Sequence, residues 1–107
     1  MAGELENILN EMKERGIGGA VVKADGVPVA STIALNDVSS GLLASVANVS
    51  DALMKKEGDQ QKEIEISFDG LILVIIPIKN HLFCGMIKER DEKKIVQDYA
   101  EKAKNHL

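Results

Sequence analysis

The sequence predicts an α+β fold in which a five-stranded antiparallel sheet carries helices on both faces, in the order α-β-β-α-β-β-β-α. Two Asp-Gly pairs, at 25–26 and 69–70, separate strand-like segments and indicate tight hairpins, because such turns need positive φ. The segment 71–78, LILVIIPI, is apolar without alternation, which is typical of a strand buried on both faces. Such a strand needs helices on both sides of the sheet, and three segments with helical patterns could supply them.

The first helix is expected over residues 4–15, where apolar side chains recur at helical spacing, and Gly16 stands where a helix-ending glycine belongs. The first strand follows over 17–24, and the first Asp-Gly turn returns the chain into a second strand over 27–32. Pro28 cannot donate a ladder hydrogen bond, so the second strand is predicted to lie at a sheet edge.

The central helix, expected over residues 38–56, has an unusual composition for a surface helix. Asp51 is the one charged residue between 38 and 54, in a chain of which 28% is charged. Beside an aliphatic stripe, this helix has a face of small uncharged residues: Gly41, Ala44, Ser45, Asn48 and Ala52. Because small residues let another backbone come close, we expect the helix to be covered on two sides, one of them by a second copy of the protein.

The third strand is expected over residues 63–68, where polar and apolar side chains alternate. The fourth strand lies inside the sheet, and the tight turn before it places Pro77 opposite about residue 62, where the third strand has run out. The fifth strand runs from 81 or 82 to 87. Asp91 is expected to cap a final helix that ends near residue 105. That helix is predicted to bury five side chains: Ile95, Val96, Tyr99, Ala100 and Ala103.

Length and composition bound the class of protein. The 107 residues fit one domain, 1–107, with a largely aliphatic core, since only 3% of residues are aromatic. A net charge of −4 argues against general nucleic-acid binding. A single cysteine and an acidic N-terminus without a signal-peptide core favour a reducing cytoplasm. The longest apolar run, 71–78, is too short to cross a bilayer as a helix, so no membrane insertion is expected.

No pattern in the sequence predicts catalysis, a cofactor or a metal site. The glycine-rich segment 16–19 leads into a strand and lacks the Lys-Ser/Thr of a phosphate-binding loop. His81, His106 and Cys84 do not have metal-ligand spacing. His81 and Cys84, three apart on a strand, should point to opposite faces, so they do not form a catalytic pair. Cys84 is therefore expected to be a buried, inert thiol.

Several segments together resemble the roadblock family, which includes the dynein light-chain roadblock proteins and MglB-type regulators of bacteria and archaea. These segments are the helix-glycine-strand opening at 8–26, the hairpin DGVPVAS at 25–31, the small-residue central helix, and DGLILVIIPI at 69–78. The likeness covers nearly the whole chain. It implies a profilin-like sandwich with two helices on one face of the sheet and one on the other.

The resemblance also implies a dimer, because family members pair through their central helices and their third strands. On this chain the implied dimer interface comprises Gly41, Ala44, Ser45, Asn48, Ala52, Glu63, Glu65 and Ser67. The residues agree with this reading, since the third strand would otherwise be an open edge. Whether the chain pairs with itself or with a paralogue is left open by the sequence.

Family members bind or regulate small Ras-like GTPases, or act as platforms in larger assemblies. The resemblance therefore implies a homodimeric, non-enzymatic adaptor that binds such a GTPase through a surface that the sequence does not identify. Arg15 and Arg90, the only arginines of the chain, lie in no motif tied to GTP hydrolysis. Two alternatives remain open: a structural scaffold module without GTPase contact, and a small-molecule sensor domain. The sensor is disfavoured because the sequence has few aromatic or polar anchors for a ligand.

Overall fold

The computed structural model describes residues 2–33, 48, 63–68 and 70–107, and the fold is given for those residues. Its elements, in chain order, are helix α1 (Ala2–Glu14), strands β1 (Gly18–Lys23), β2 (Pro28–Ser31), β3 (Ile64–Phe68), β4 (Leu71–Ile78) and β5 (His81–Ile87), a 3-10 turn (Arg90–Glu92) and helix α2 (Lys93–Lys104). The predicted central helix lies outside the described residues, with the exception of Asn48, which is helical and exposed.

Helix α1 starts two residues before the predicted position and ends at Glu14, and Gly16 closes it as predicted. Gly16 has a φ of 81°, and its N–H donates to the carbonyl of Lys13 at 2.9 Å. The N–H of Ile17 donates to the carbonyl of Met12, also at 2.9 Å. These two bonds form a Schellman motif, which satisfies carbonyls at the end of the helix and turns the chain into β1.

The five strands form one antiparallel sheet in the order β2-β1-β5-β4-β3. Both predicted hairpins are confirmed. In the first, the N–H of Lys23 donates to the carbonyl of Val27 at 2.8 Å. In the second, Phe68 pairs directly with Leu71. The α+β class and the five-stranded antiparallel sheet predicted from the sequence are therefore confirmed.

The two prolines occupy the predicted places. Pro28 begins β2, which is a terminal strand of the sheet. Strand β4 lies between β5 and β3, and its central residues are buried, as expected for a strand inside the sheet. The ladder between β3 and β4 reaches only to the pair Ile64–Ile75, so Pro77 lies beyond it and its missing N–H interrupts no described pair of β3.

The sheet has an apolar cluster on each face. On the first face, α1 and α2 pack over β1, β4 and β5, with Leu9, Met12, Phe83 and Val96 almost completely buried among them. On the other face, the buried residues are Ala20, Leu73, Ile75, Leu82 and Cys84. Both faces of the sheet are therefore apolar, and β3 joins the second cluster through Ile64 and Ile66.

The start of the last helix differs from the prediction. Asp91, predicted to cap it, lies inside the 3-10 turn, and the α-helix begins at Lys93. The side chain of Glu92 turns back instead, and its Oε1 accepts the backbone N–H groups of Lys88 at 3.1 Å and Glu89 at 2.8 Å. The cap prediction was therefore wrong, because the longer Glu92 side chain satisfies these donors. Of the five predicted core residues, four are buried and Ile95 is partly buried.

Candidate interaction surface

Strand β3 is the terminal strand of the sheet on the side away from β2. Within the described residues its only strand neighbour is β4, joined to it by five residue pairs from Phe68–Leu71 to Ile64–Ile75. A terminal strand presents backbone N–H and C=O groups that can pair with a strand of another chain. This edge is the candidate interaction surface.

The side chains of β3 alternate as the sequence predicted. Ile64 and Ile66 are partly buried against the apolar cluster that contains Cys84. Glu65, paired with Val74, points to the opposite face, where α1 and α2 lie. The strand therefore contributes apolar side chains to one face and carboxylates to the other.

Helix α2 and the turn before it supply donors to these carboxylates. Lys93 Nζ forms ion pairs with Glu63 Oε2 and, at 2.6 Å, with Glu65 Oε1. Arg90 Nη1 lies 3.2 Å from Glu65 Oε2, and Gln97 Nε2 donates to Glu63 Oε1 at 2.8 Å. All four carboxylate oxygens of the two glutamates thus have a partner. We call these five side chains the β3–α2 network.

The electrostatics of the β3–α2 network favour its charged form. The hydrogen bond from Lys93 lowers the pKa of Glu65 below its ordinary value, assisted by the positive charges of Lys93 and Arg90. The hydrogen bonds to Glu63 and then to Glu65 raise the pKa of Lys93. The side chains of Lys93, Glu63 and Glu65 are 29%, 25% and 21% exposed, so solvent and salt still reach the ion pairs.

The β3–α2 network was not predicted from the sequence. Its signal was present in the spacing, because Glu63 and Glu65 share one face of a strand while Arg90, Lys93 and Gln97 recur at helical spacing. The two sets lie far apart in the chain, and only the position of β3 beside α2 brings them together.

The predicted dimer-interface residues have different outcomes. Glu63 and Glu65 lie at the β3 edge, where both contact α2 of their own chain, and Ser67 is exposed on the same strand. Asn48 is exposed. The other four lie outside the described residues: Gly41, Ala44, Ser45 and Ala52. The interface as a whole stays a prediction.

The two residues weighed for catalysis are placed as expected. Cys84 is buried in β5, and burial raises the pKa of its thiol to about 12. His81 begins the same strand and pairs with Ile78 and Lys23, while Cys84 pairs with Ile75 and Ala20, so the two side chains point to opposite faces. They do not form a nucleophile–base pair.

Three further features belong to the described part of the chain. It contains no group of three or more His, Cys, Asp or Glu side chains arranged to hold a metal ion. None of its helices combines the length and the apolar character that a membrane span requires. A surface groove of about 490 Å³ runs between β4 and α2, with Ile76 and Pro77 on one side and Ala100 on the other.

No protein-family model matches this chain, and no curated protein sequence matches it. Solved structures do share its shape. A structure described as MglB with tetrameric arrangement is 21% identical, with a TM-score of 0.76 over 94% of this chain and 82% of that one. A Roadblock/LC7 domain from Streptomyces avermitilis is 11% identical, with a TM-score of 0.79 over 97% of this chain and 98% of that one.

Profilins share the same architecture. Profilin IA of Acanthamoeba castellanii is 13% identical, with a TM-score of 0.66 over 95% of this chain and 94% of that one. Structural similarity at this level of sequence identity shows a common fold. The chain therefore has the fold of the roadblock and MglB structures and a profilin-like sheet, as the resemblance in its sequence implied.

Proposed function

We propose that this chain is a roadblock-type adaptor, homodimeric and non-enzymatic, that binds and regulates a small Ras-like GTPase in the cytoplasm. The observation that carries the proposal is the regular terminal strand β3 in a fold shared with MglB and Roadblock/LC7 structures. Pairing of two β3 strands about a two-fold axis would join two sheets into one and remove this edge from solvent.

The contrast between the two terminal strands supports β3 as the edge that pairs. Strand β2 has four residues, begins with Pro28, and shifts register against β1 between Val21 and Val22. A proline, a short strand and an irregular ladder are the usual protections of an edge that must stay single. Strand β3 has five regular pairs with β4 and no proline. Such a regular edge favours pairing with a strand of another chain.

The small-residue face of the central helix supplies the second half of the proposed dimer interface. It rests on the sequence pattern and on the resemblance, since Asn48 is the one residue of that face within the described residues. A face of Gly, Ala and Ser allows two helices to approach closely, as expected if the central helices of two protomers pack on each other in the dimer.

The non-enzymatic part of the proposal is supported by the contacts of the two arginines. The guanidinium of Arg15 lies 5.9 Å from the centre of the Tyr99 ring, a cation–π distance. Arg90 binds Glu65 in the β3–α2 network. Because both groups have partners within the chain, regulation by contact with the GTPase is favoured over donation of an arginine to its active site.

The first experiment is the solution mass of the purified protein by light scattering across a dilution series. A stable mass near twice 11.6 kDa supports the dimer, whereas a clean monomer at every concentration contradicts it. Affinity capture from a lysate of the source organism then tests the partner. Enrichment of a Ras-like GTPase supports the adaptor, while other partners without a GTPase favour the scaffold alternative.

A further inference from the structure

We propose that the β3–α2 network holds the terminal strand in the geometry needed for pairing, so that self-association is under electrostatic control. This inference rests on the proposed function, since it concerns regulation of the same β3 edge. It assigns Arg90, Lys93 and Gln97 as positioning residues, which act on the interface through Glu63 and Glu65.

Strand β3 needs such a support because of its place in the sheet. One ladder of five residue pairs attaches it to β4. On the face of α1 and α2, β4 contributes Val74 to the apolar cluster and Ile76 packs against it, whereas Glu65 lies opposite Val74 and Glu63 immediately precedes β3. Carboxylate side chains cannot pack against α2 as apolar groups do. They are held instead by ion pairs and hydrogen bonds from side chains of α2 and of the turn before it.

The geometry of the network suits a rigid attachment. Lys93 bridges Glu65 of β3 and Glu63, the residue just before the strand. The second oxygen of Glu65 binds Arg90, and the second oxygen of Glu63 binds Gln97. The strand is thereby held at two successive positions of the same face. Twisting or sliding of β3 relative to α2 would break several charge-assisted hydrogen bonds together.

Loss of this attachment would weaken pairing without touching the interface itself. If only a fraction of the protomers has β3 in the pairing geometry, the apparent dissociation constant of the homodimer rises by the reciprocal of the square of that fraction, because both partners must be in that geometry. The ion pairs are partly exposed, and the screening length falls from about 10 Å at 0.1 M salt to about 3 Å at 1 M. Salt should therefore weaken the dimer through the network.

The test compares Lys93→Met with Lys94→Met in the full chain. Both variants remove one positive charge from the start of α2, but Lys94 is 81% exposed and pairs only with Asp98, at 3.5 Å, among the ion pairs of the described residues. We expect Lys93→Met to raise the dimer dissociation constant about threefold to tenfold, measured by sedimentation equilibrium, and Lys94→Met to leave it near that of the parent chain. Equal dissociation constants in the two variants would overturn the proposal.

Hydrogen exchange of the backbone amides, measured at protein concentrations low enough for both variants to be monomeric, provides a readout that does not depend on assembly. The amides of β3 should exchange faster in Lys93→Met than in Lys94→Met, while those of β1 exchange alike in both. If β3 exchanges equally in the two variants, the network does not hold the strand. Should Lys93→Met fail to fold, Glu65→Gln takes its place, since it removes the ion pairs of Glu65 with Lys93 and Arg90 with almost no change in shape.

A salt series separates this inference from the proposed function. The dimer of Lys94→Met should weaken as NaCl rises from about 50 mM to about 500 mM, and that of Lys93→Met should respond less. Equal salt responses would count against the network as the controlling element. A parent chain that is monomeric throughout would end the proposed homodimer and its control together, and hydrogen exchange in that monomer would still show whether the network orders β3.

Discussion

Gly85 lies beneath Val96, where helix α2 crosses β5. A Cβ placed on Gly85 would lie 2.7 Å from one γ-methyl of Val96 and 2.8 Å from the other. Both distances are well inside van der Waals contact, and Val96 is fully buried. The absence of a side chain at this position therefore sets how closely α2 approaches the sheet.

Substitution of Gly85 by Ala should destabilise the protein by about 1–3 kcal/mol, because the added methyl overpacks the contact with Val96. Urea unfolding measures the change. Gly3→Ala is the matched control, since a Cβ there meets nothing within 4 Å and alanine favours a helix. Adding Val96→Ala to Gly85→Ala should recover part of the loss, and a double variant that is simply additive would contradict the proposed clash.

Cys84 should be inert in the folded protein. Its thiol is buried and its pKa is raised to about 12, so almost no thiolate exists near pH 8. A thiol reagent should modify the unfolded chain quickly and the native chain only at the rate of opening. Rapid modification under native conditions, at a rate unaffected by added stabilising salts, would contradict the assignment.

The contact between β3 and α2 should make stability depend on pH in a defined direction. Hydrogen bonding to Lys93 lowers the pKa of Glu65 from its ordinary 4.5. This contribution is therefore complete above about pH 4.5 and is lost as the pH falls through the lowered value. The pKa of Lys93 is raised from 10.5, chiefly by its hydrogen bond to Glu63, so its contribution is complete below 10.5 and is lost as the pH rises above that.

Urea unfolding of the parent chain and of Lys93→Met at about pH 7 and about pH 3 tests this dependence. The difference in midpoint between the two proteins should narrow at the lower pH, because the ion pair between Lys93 and Glu65 is lost as the pH falls through the lowered pKa of Glu65. Arg90 and Gln97 face the carboxylates of Glu65 and Glu63 and are unchanged in both proteins. A midpoint difference that does not vary with pH would argue that Lys93 acts by packing alone.

Elements with a strong local pattern could be predicted from the sequence. The apolar run of β4 and the turn before it predict an inner strand and its hairpin with β3, and Pro28 predicts a terminal strand. The cap of the last helix could not be predicted in this way. Asp91 and Glu92 are adjacent acidic residues, and the choice between them depends on the 3-10 turn that precedes α2.

The β3–α2 network could not be predicted because it depends on tertiary structure. A run such as ERDEKK, residues 89–94, usually forms a solvated helix start. Here Arg90 and Lys93 turn toward β3, because the order of the sheet puts that strand at the end nearest to them. The alternation of polar and apolar side chains in β3 could be predicted from the sequence, but the ion pairs between its charged face and Arg90 and Lys93 could not.

At the scale of the whole molecule, the small-residue face of the central helix provides a direct test of the proposed dimer. Ala44→Glu or Ala52→Glu should yield monomers or unfolded protein, because each would bury an unpaired charge in the interface. Sedimentation velocity gives the mass, and circular dichroism shows whether the chain is folded. Asn10→Glu, on the exposed side of α1, is the control. Glutamate variants that remain dimeric and fully stable would exclude this interface.

The unequal terminal strands of the sheet also decide how far such an assembly can grow. When two β3 edges pair about a two-fold axis, neither remains available to another strand. The joined sheet then has a copy of β2 at each end. Each β2 presents a short edge that begins with a proline. Addition of a third sheet is thereby blocked at both ends, so pairing that could have propagated into a filament stops at two subunits.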